Sequence, residues 1–302
     1  MLFTTIWPVF ALICLGFALR RVGFPEPGFW PAAERANYVL LFPALLISTL
    51  ADAPVRDPDI LRLGGTAVVT ILGAALLMAL VRRVRPMPAR RFGPVLQGVV
   101  RFNTYLGLAI VASLTGEAGL ERAAVLLAVA VPLVNVLSVM ALTDGSAKGG
   151  FGRLVGPVLR NPLILACLAG IVIALAGTGL PHGTGKFLDL IAQASLPLGL
   201  LCVGAALRPA ALGREVAPLA AISALRLLAM PALAMAVANV LGLGDVETLV
   251  LVVFAAIPSA PTAYVLTRQL GGDGEFMAGI VTAQTVASLA TIPVVLWLAG
   301  LG

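Results

Sequence analysis

The chain has 302 residues, of which 60% are hydrophobic and only 11% charged, with a mean hydropathy of +1.05, far from the composition of a soluble domain. Its net charge of +6 would suit a nucleic-acid binder in a soluble protein, but the placement of its Lys and Arg residues follows membrane topology, which excludes nucleic acid as a partner. Three cysteines inside apolar runs (Cys14, Cys167, Cys202) and a single histidine, His182, give no disulfide or metal framework.

A spanning helix needs about 20 apolar residues. In chain order the candidates are 3–19, 36–51, 60–81, 93–115, 120–142, 161–179, 187–207, 216–241, 246–267 and 275–299. Their runs lack the alternation of barrel strands, so an all-α integral membrane protein with ten transmembrane helices is expected. The first is read as a retained helix, because Met1 to Phe10 carries no Lys or Arg and Arg20 and Arg21 follow the apolar stretch, the reverse of a signal peptide.

A shift of 154 residues brings Pro8 onto Pro162 and Pro43 onto Pro197, in "WPVFALICLGF" against "NPLILACLAGI" and "LFPALLI" against "SLPLGLL". The chain therefore reads as a duplication, 1–152 and 153–302. With five helices in each copy, the second must lie inverted relative to the first, as in many secondary transporters. Connections assigned alternately to the two faces place Arg20, Arg21, Arg35, Arg82, Arg83, Arg85, Arg90, Arg91, Lys148, Arg153, Arg160, Arg208, Arg214 and Arg268 on one face. The other holds Arg56, Arg62, Arg122 and Lys186. The positive-inside rule then predicts both termini outside.

Two segments contain residues that should interrupt a helix. The fourth carries Arg101, Asn103, Thr104 and Gly107 near its middle; the ninth carries Pro258, Ser259 and Pro261. The repeat offset sets Asn103 one residue before Pro258. Broken helices 4 and 9 crossing near the midplane would present half-helix N-termini, a geometry that attracts an anion. Arg101, too deep to be casual, could pair a substrate carboxylate, bond freed carbonyls or snorkel. Arg226, just before Pro231, is expected to snorkel toward the basic face. Asn37, Asn135, Ser138, Asn239 and Gln284 are further polar groups in apolar runs, able to bond between helices.

The stretches "PVFALICLGFALRRVGF", "YVLLFPALLISTL", "RNPLILACLAGIVIALAGTGLP", "SLPLGLLCVGAAL" and "PSAPTAYVLTRQLGGDGEFMAGIVTAQTVASLATIPVVLW" resemble the auxin efflux carrier family along essentially the whole chain. That family includes plant PIN-type auxin carriers and bacterial permeases associated with malonate and malate. The resemblance implies two inverted five-helix repeats, with helices 1, 2, 6 and 7 as a scaffold domain, helices 3–5 and 8–10 as a transport domain, and a homodimer. Similarity to bile acid symporters and sodium/proton antiporters lies in the fold alone. The family's crossover falls on Asn103 and on Pro258 to Pro261. Where plant carriers pair asparagine with proline, this chain has Asn103–Thr104 and Pro258–Ser259.

The resulting expectation is a multi-pass transporter of the bacterial inner membrane that carries small organic anions by alternating access, without a cofactor or metal. Its substrate would meet Arg101, Asn103, Thr104, Tyr105, Asn135, Pro258, Ser259, Ala260, Pro261, Thr262 and Gln284. An intramembrane enzyme is not expected, because the acidic residues fall in connections or at helix ends and no P-loop is present. A membrane anion sensor, or a carrier of a neutral or cationic solute, stays open, as do direction and coupling ion.

Overall fold

The computed structural model describes residues 2–26, 28–143, 161–181, 183–213 and 215–301. Outside the described residues lie the boundary between the two expected copies, His182, Lys148, Arg153, Arg160 and Arg214.

The described residues are helical with no strand. The helices are α1 (Leu2–Arg21), α2 (Phe29–Ala36), α3 (Phe42–Ala51), α4 (Pro58–Val84), α5 (Ala89–Val100), α6 (Thr104–Thr143) and α7 (Pro162–Ala176). They continue as α8 (Thr184–Ala192), α9 (Ser195–Ala206), α10 (Val216–Ala224), α11 (Met230–Leu241), α12 (Asp245–Ala256), α13 (Thr262–Gln269) and α14 (Gly274–Leu298). Among the described residues, six stretches are long and apolar enough to cross a membrane, with α1, α4 and α14 among them. This is a multi-pass membrane protein.

Prolines account for most interruptions. A proline has no N–H to donate and crowds the carbonyl four residues back. Pro43 is preceded by a π-helical turn, Asn37–Leu41, and Pro231 by another, Leu225–Ala229. Each wide turn absorbs the missing bond, and each carries a buried polar side chain, Asn37 in the first and Arg226 in the second. Pro197 sits in the first turn of α9, where no N–H is needed, and the chain leaves helical form between α8 and α9. The irregular turns before Pro43 and Pro197 meet: the Asn37 amide donates to the Ser195 carbonyl (3.0 Å), and the Ser195 hydroxyl donates back to Asn37 Oδ1 (2.9 Å). At Gly116 (φ 64°, ψ −145°), a conformation that excludes side chains, α6 loses its helical course between the expected fourth and fifth segments.

Small residues set the closest packing. A Cβ on Gly16 of α1 would collide with the Leu201 carbonyl, and one on Gly204 of α9 with the Ile13 carbonyl, so α1 and α9 lie backbone to backbone. α3 packs on α7 and α8, while α4 packs on α5 and α6, α12 on α6, α14 on α5, and α11 on α4 and α12. Two ion-pair groups tie helix ends together: Arg91, in the first turn of α5, pairs with Glu215 ahead of α10 and with Asp273 ahead of α14, and Arg122 of α6 pairs with Glu247 of α12.

Candidate functional site: the crossing of two broken helices

Both expected breaks are present. α5 ends at Val100, and Arg101 takes an extended conformation (φ −80°, ψ 154°). α12 ends at Ala256, and Ile257 does the same (φ −77°, ψ 152°), as Pro258 and Pro261 forbid helical bonding through this stretch. The extended strands touch where Asn103 N–H donates to the Pro258 carbonyl at 2.8 Å. Asn103 then starts α6: its Oδ1 accepts from Leu106 N–H at 3.3 Å and its carbonyl from Gly107 N–H at 3.0 Å, an N-cap.

Each break frees carbonyls at a C-terminal end, which must be satisfied in the apolar interior. Arg226 does most of this. Its Nε donates to Ile257 O (2.8 Å), one terminal nitrogen to Val99 O (2.9 Å) and the other to Phe254 O (2.6 Å), with the side chain buried. One guanidinium therefore joins the ends of α5 and α12 and opposes the negative poles of both. The expectation that Arg226 snorkels is corrected: the carbonyls released by two other helices hold it inside. Ser259 and Gln284 complete the clamp. Ser259 N–H donates to Gln284 Oε1 (2.9 Å), Gln284 Nε2 donates to Gly98 O (2.8 Å), and the Ser259 hydroxyl lies 3.2 Å from the carbonyls of Gln97 and Gly98. Gln97 Nε2 in turn donates to the Thr267 hydroxyl at 2.9 Å.

On the side where α6 and α13 begin, the crossing borders a cavity of about 80 Å³. Of the sequence-predicted residues, Arg101, Asn103, Thr104, Tyr105, Asn135, Ala260, Pro261 and Thr262 line it. Pro258, Ser259 and Gln284 do not; they build the crossing behind it. Arg101 makes one long hydrogen bond, 3.4 Å to Gln97 Oε1, so most of its donors point to no protein acceptor among the described residues. Asn103 Nδ2 is buried and meets no acceptor there either. Its identity as the donor atom follows from Leu106, whose N–H can bond only the amide oxygen.

The cavity also takes in Glu34, Tyr38 and Asn161, which sequence reading missed. The apolar run begins at about residue 36, whereas the helix begins at Phe29, about two turns earlier, and that extra length brings Glu34 to the wall.

A second cleft, of about 600 Å³, is lined by Leu45, Asp52, Ala109, Glu117, Glu121, Asp189 and Leu200 among others. Leu45, Ala109 and Leu200 lie within about a turn of Phe42, Tyr105 and Gly199, which line the first cavity. The Phe42 and Tyr105 rings, both in the wall of the first cavity, meet edge to face, 5.0 Å apart at 73°. A Cβ on Gly199 would come within 2.7 Å of the Tyr105 ring, so glycine is required for that ring to sit there.

Residues 157–296 match the family described as membrane transport protein. The chain is 27% identical over 302 residues to an "Uncharacterized transporter" of Methanothermobacter thermautotrophicus, covering 97% of this chain and 96% of that protein. It is 26% identical over 306 residues to the "Putative malonate transporter" of Rhizobium meliloti, covering 96% and 93%. A transporter of Methanocaldococcus jannaschii is 26% identical over 213 residues, 68% of each chain. The second half of the chain thus matches the membrane transport protein family, and nearly its whole length is similar to proteins named as transporters rather than enzymes, in line with the auxin efflux carrier family that its sequence resembles.

Proposed function

We propose that the protein moves small organic anions, carboxylates such as malonate or malate before auxin-like aromatic acids, across a bacterial inner membrane by alternating access. The observation that carries this reading is the donor set on one cavity: a guanidinium with free donors, a buried unpartnered amide and the starts of two helices. Arg101 takes a carboxylate; Asn103, Thr104, Tyr105, Asn135 and Thr262 orient it. A water needs about 10–15 Å³ of such volume, so the cavity suits an anion of a few heavy atoms better than an indole. The name of the Rhizobium relative points the same way.

In this reading the ten segments form two inverted five-helix repeats, with both termini outside and two copies associating as a homodimer. The scaffold consists of α1–α3 and α7–α9, which pack largely on one another; the remaining helices form the transport domain, tied by the Arg91 and Arg122 ion pairs. Cavity and cleft are the two access routes. The carboxylates of the larger cleft, Asp52, Glu117, Glu121 and Asp189, favour a second reading, a cationic or neutral solute.

Charge movement in proteoliposomes, recorded on solid-supported membranes, separates these. Malonate, malate, indole-3-acetate and a cation panel are applied under separately varied ion gradients. A malonate or malate current reduced at least tenfold in Arg101→Ala supports the anion carrier. Current with cations alone overturns it. Binding of an anion by the purified protein without any flux would identify a sensor.

A further inference from the structure

We propose that Glu34 is a proton-binding residue of the anion cavity, so that a small carboxylate occupies that cavity together with one proton. This rests on the anion reading above and adds the coupling ion to it.

The inference starts from where the carboxylate stands. Glu34 is partly buried on α2 and lines the same space of about 80 Å³ as Arg101, yet no ion pair joins them or joins Glu34 to any described cation. Its neighbours from the packed elements are Tyr38 on the following turn, Tyr105 of α6 and Cys202 of α9, with Arg101 at the break across the cavity. Arg35, next in sequence, is exposed. None of these supplies a bound counter-charge. Arg101 therefore faces two candidate anions, the protein's own carboxylate and the one that enters.

Two carboxylates confined with one cation in so small a space repel each other strongly, and the pair is relieved when one accepts a proton. The entering anion takes the guanidinium, which offers a bidentate fork, and the proton goes to Glu34, which has no donor of its own to lean on. Binding of proton and anion is then mutually favourable: each raises the affinity for the other by the same factor. With the cavity empty, Glu34 is free to ionise. The acids of the other cleft cannot replace it, since Asp52, Glu117, Glu121 and Asp189 line a different space, whose wall includes neither Arg101 nor Glu34.

The test uses the full-length protein in nanodiscs and malonate as the probe, with calorimetric binding from pH 5.5 to 8.5 in paired buffers of different ionisation heat. Malonate's own titration is common to every variant and cancels on comparison. In the wild type, affinity should fall more steeply with pH than in Glu34→Gln, by up to about tenfold per pH unit while Glu34 titrates. Glu34→Asp should keep the wild-type slope. Above pH 7.5, where malonate is already fully ionised, only the wild type and Glu34→Asp should take up protons on binding. Identical slopes in wild type and Glu34→Gln overturn the proposal while leaving the anion site standing. If Glu34→Gln does not fold, wild-type binding without proton uptake overturns it alone. Failure of folded wild type to bind malonate at any pH overturns the anion reading and this inference together.

Discussion

Two arginines stand at the same helix crossing and have opposite fates. Arg226 spends its donors on three backbone carbonyls at the ends of α5 and α12 and is sealed in. Arg101, on the other side, holds one long bond to Gln97 and faces a cavity. A deep arginine in a membrane protein demands a partner. For Arg226 the protein provides it; for Arg101 the described residues offer only Gln97, and in the function proposed above the partner is the substrate anion. The difference lies in the polarity of the broken helices, since the C-terminal ends meet Arg226 and the N-terminal ends meet the cavity.

Removing Arg226 is the hardest blow to this division. Arg226→Ala leaves three carbonyls without donors in an apolar interior, each unsatisfied buried group costing about 1–3 kcal/mol. The protein should fail to purify as a monodisperse species or should unfold at much lower temperature, as read by fluorescence-detected size exclusion across a heating series. Arg226→Lys keeps the charge but lacks the planar fork, so it should recover only part of the stability. A variant at Arg226 that melts like the wild type would show that the clamp does not hold the crossing.

Arg101→Ala should leave the melting profile nearly unchanged, because the fold uses only its contact with Gln97. Binding should suffer instead. A hydrogen bond to a charged group contributes about 1.5–3 kcal/mol, which converts to roughly 10- to 150-fold in malonate affinity by calorimetry. Loss of stability without loss of affinity would reverse the roles of the two arginines.

The two arginines also show what a sequence can and cannot disclose. The breaks were legible at Asn103 and Pro258 because proline chemistry and the repeat offset both act locally along the chain. Arg101 was legible as a deep charge near one of them. Arg226 is not legible from its distance to a helix end, because its partners Val99, Phe254 and Ile257 belong to other segments, and their carbonyls become acceptors only once those helices break. Gln284 stood out as a polar residue in an apolar run, but whether it faces substrate or backbone depends on Gly98 and Ser259, remote in sequence. Glu34 is hidden from a sequence reading because a hydropathy boundary is not a helix boundary: α2 starts at Phe29 and passes through Glu34 and Arg35 ahead of the apolar run.

Asn103 gives the finest division between building and binding, because its two amide atoms do different jobs. Oδ1 caps α6 through Leu106 N–H, while Nδ2 points to no described acceptor. Asn103→Ala removes both and should cost about 1 kcal/mol of stability, the usual worth of an N-cap. Asn103→Asp keeps a capping oxygen and adds a charge that the start of a helix tolerates well. It should therefore melt close to the wild type, yet it replaces a free donor by a carboxylate that repels the incoming anion beside Arg101. Malonate binding should weaken more in Asn103→Asp than in Asn103→Ala, whereas stability should rank the other way. Should the two variants rank alike on both measures, Nδ2 would have no part in binding and Asn103 would be a capping residue alone.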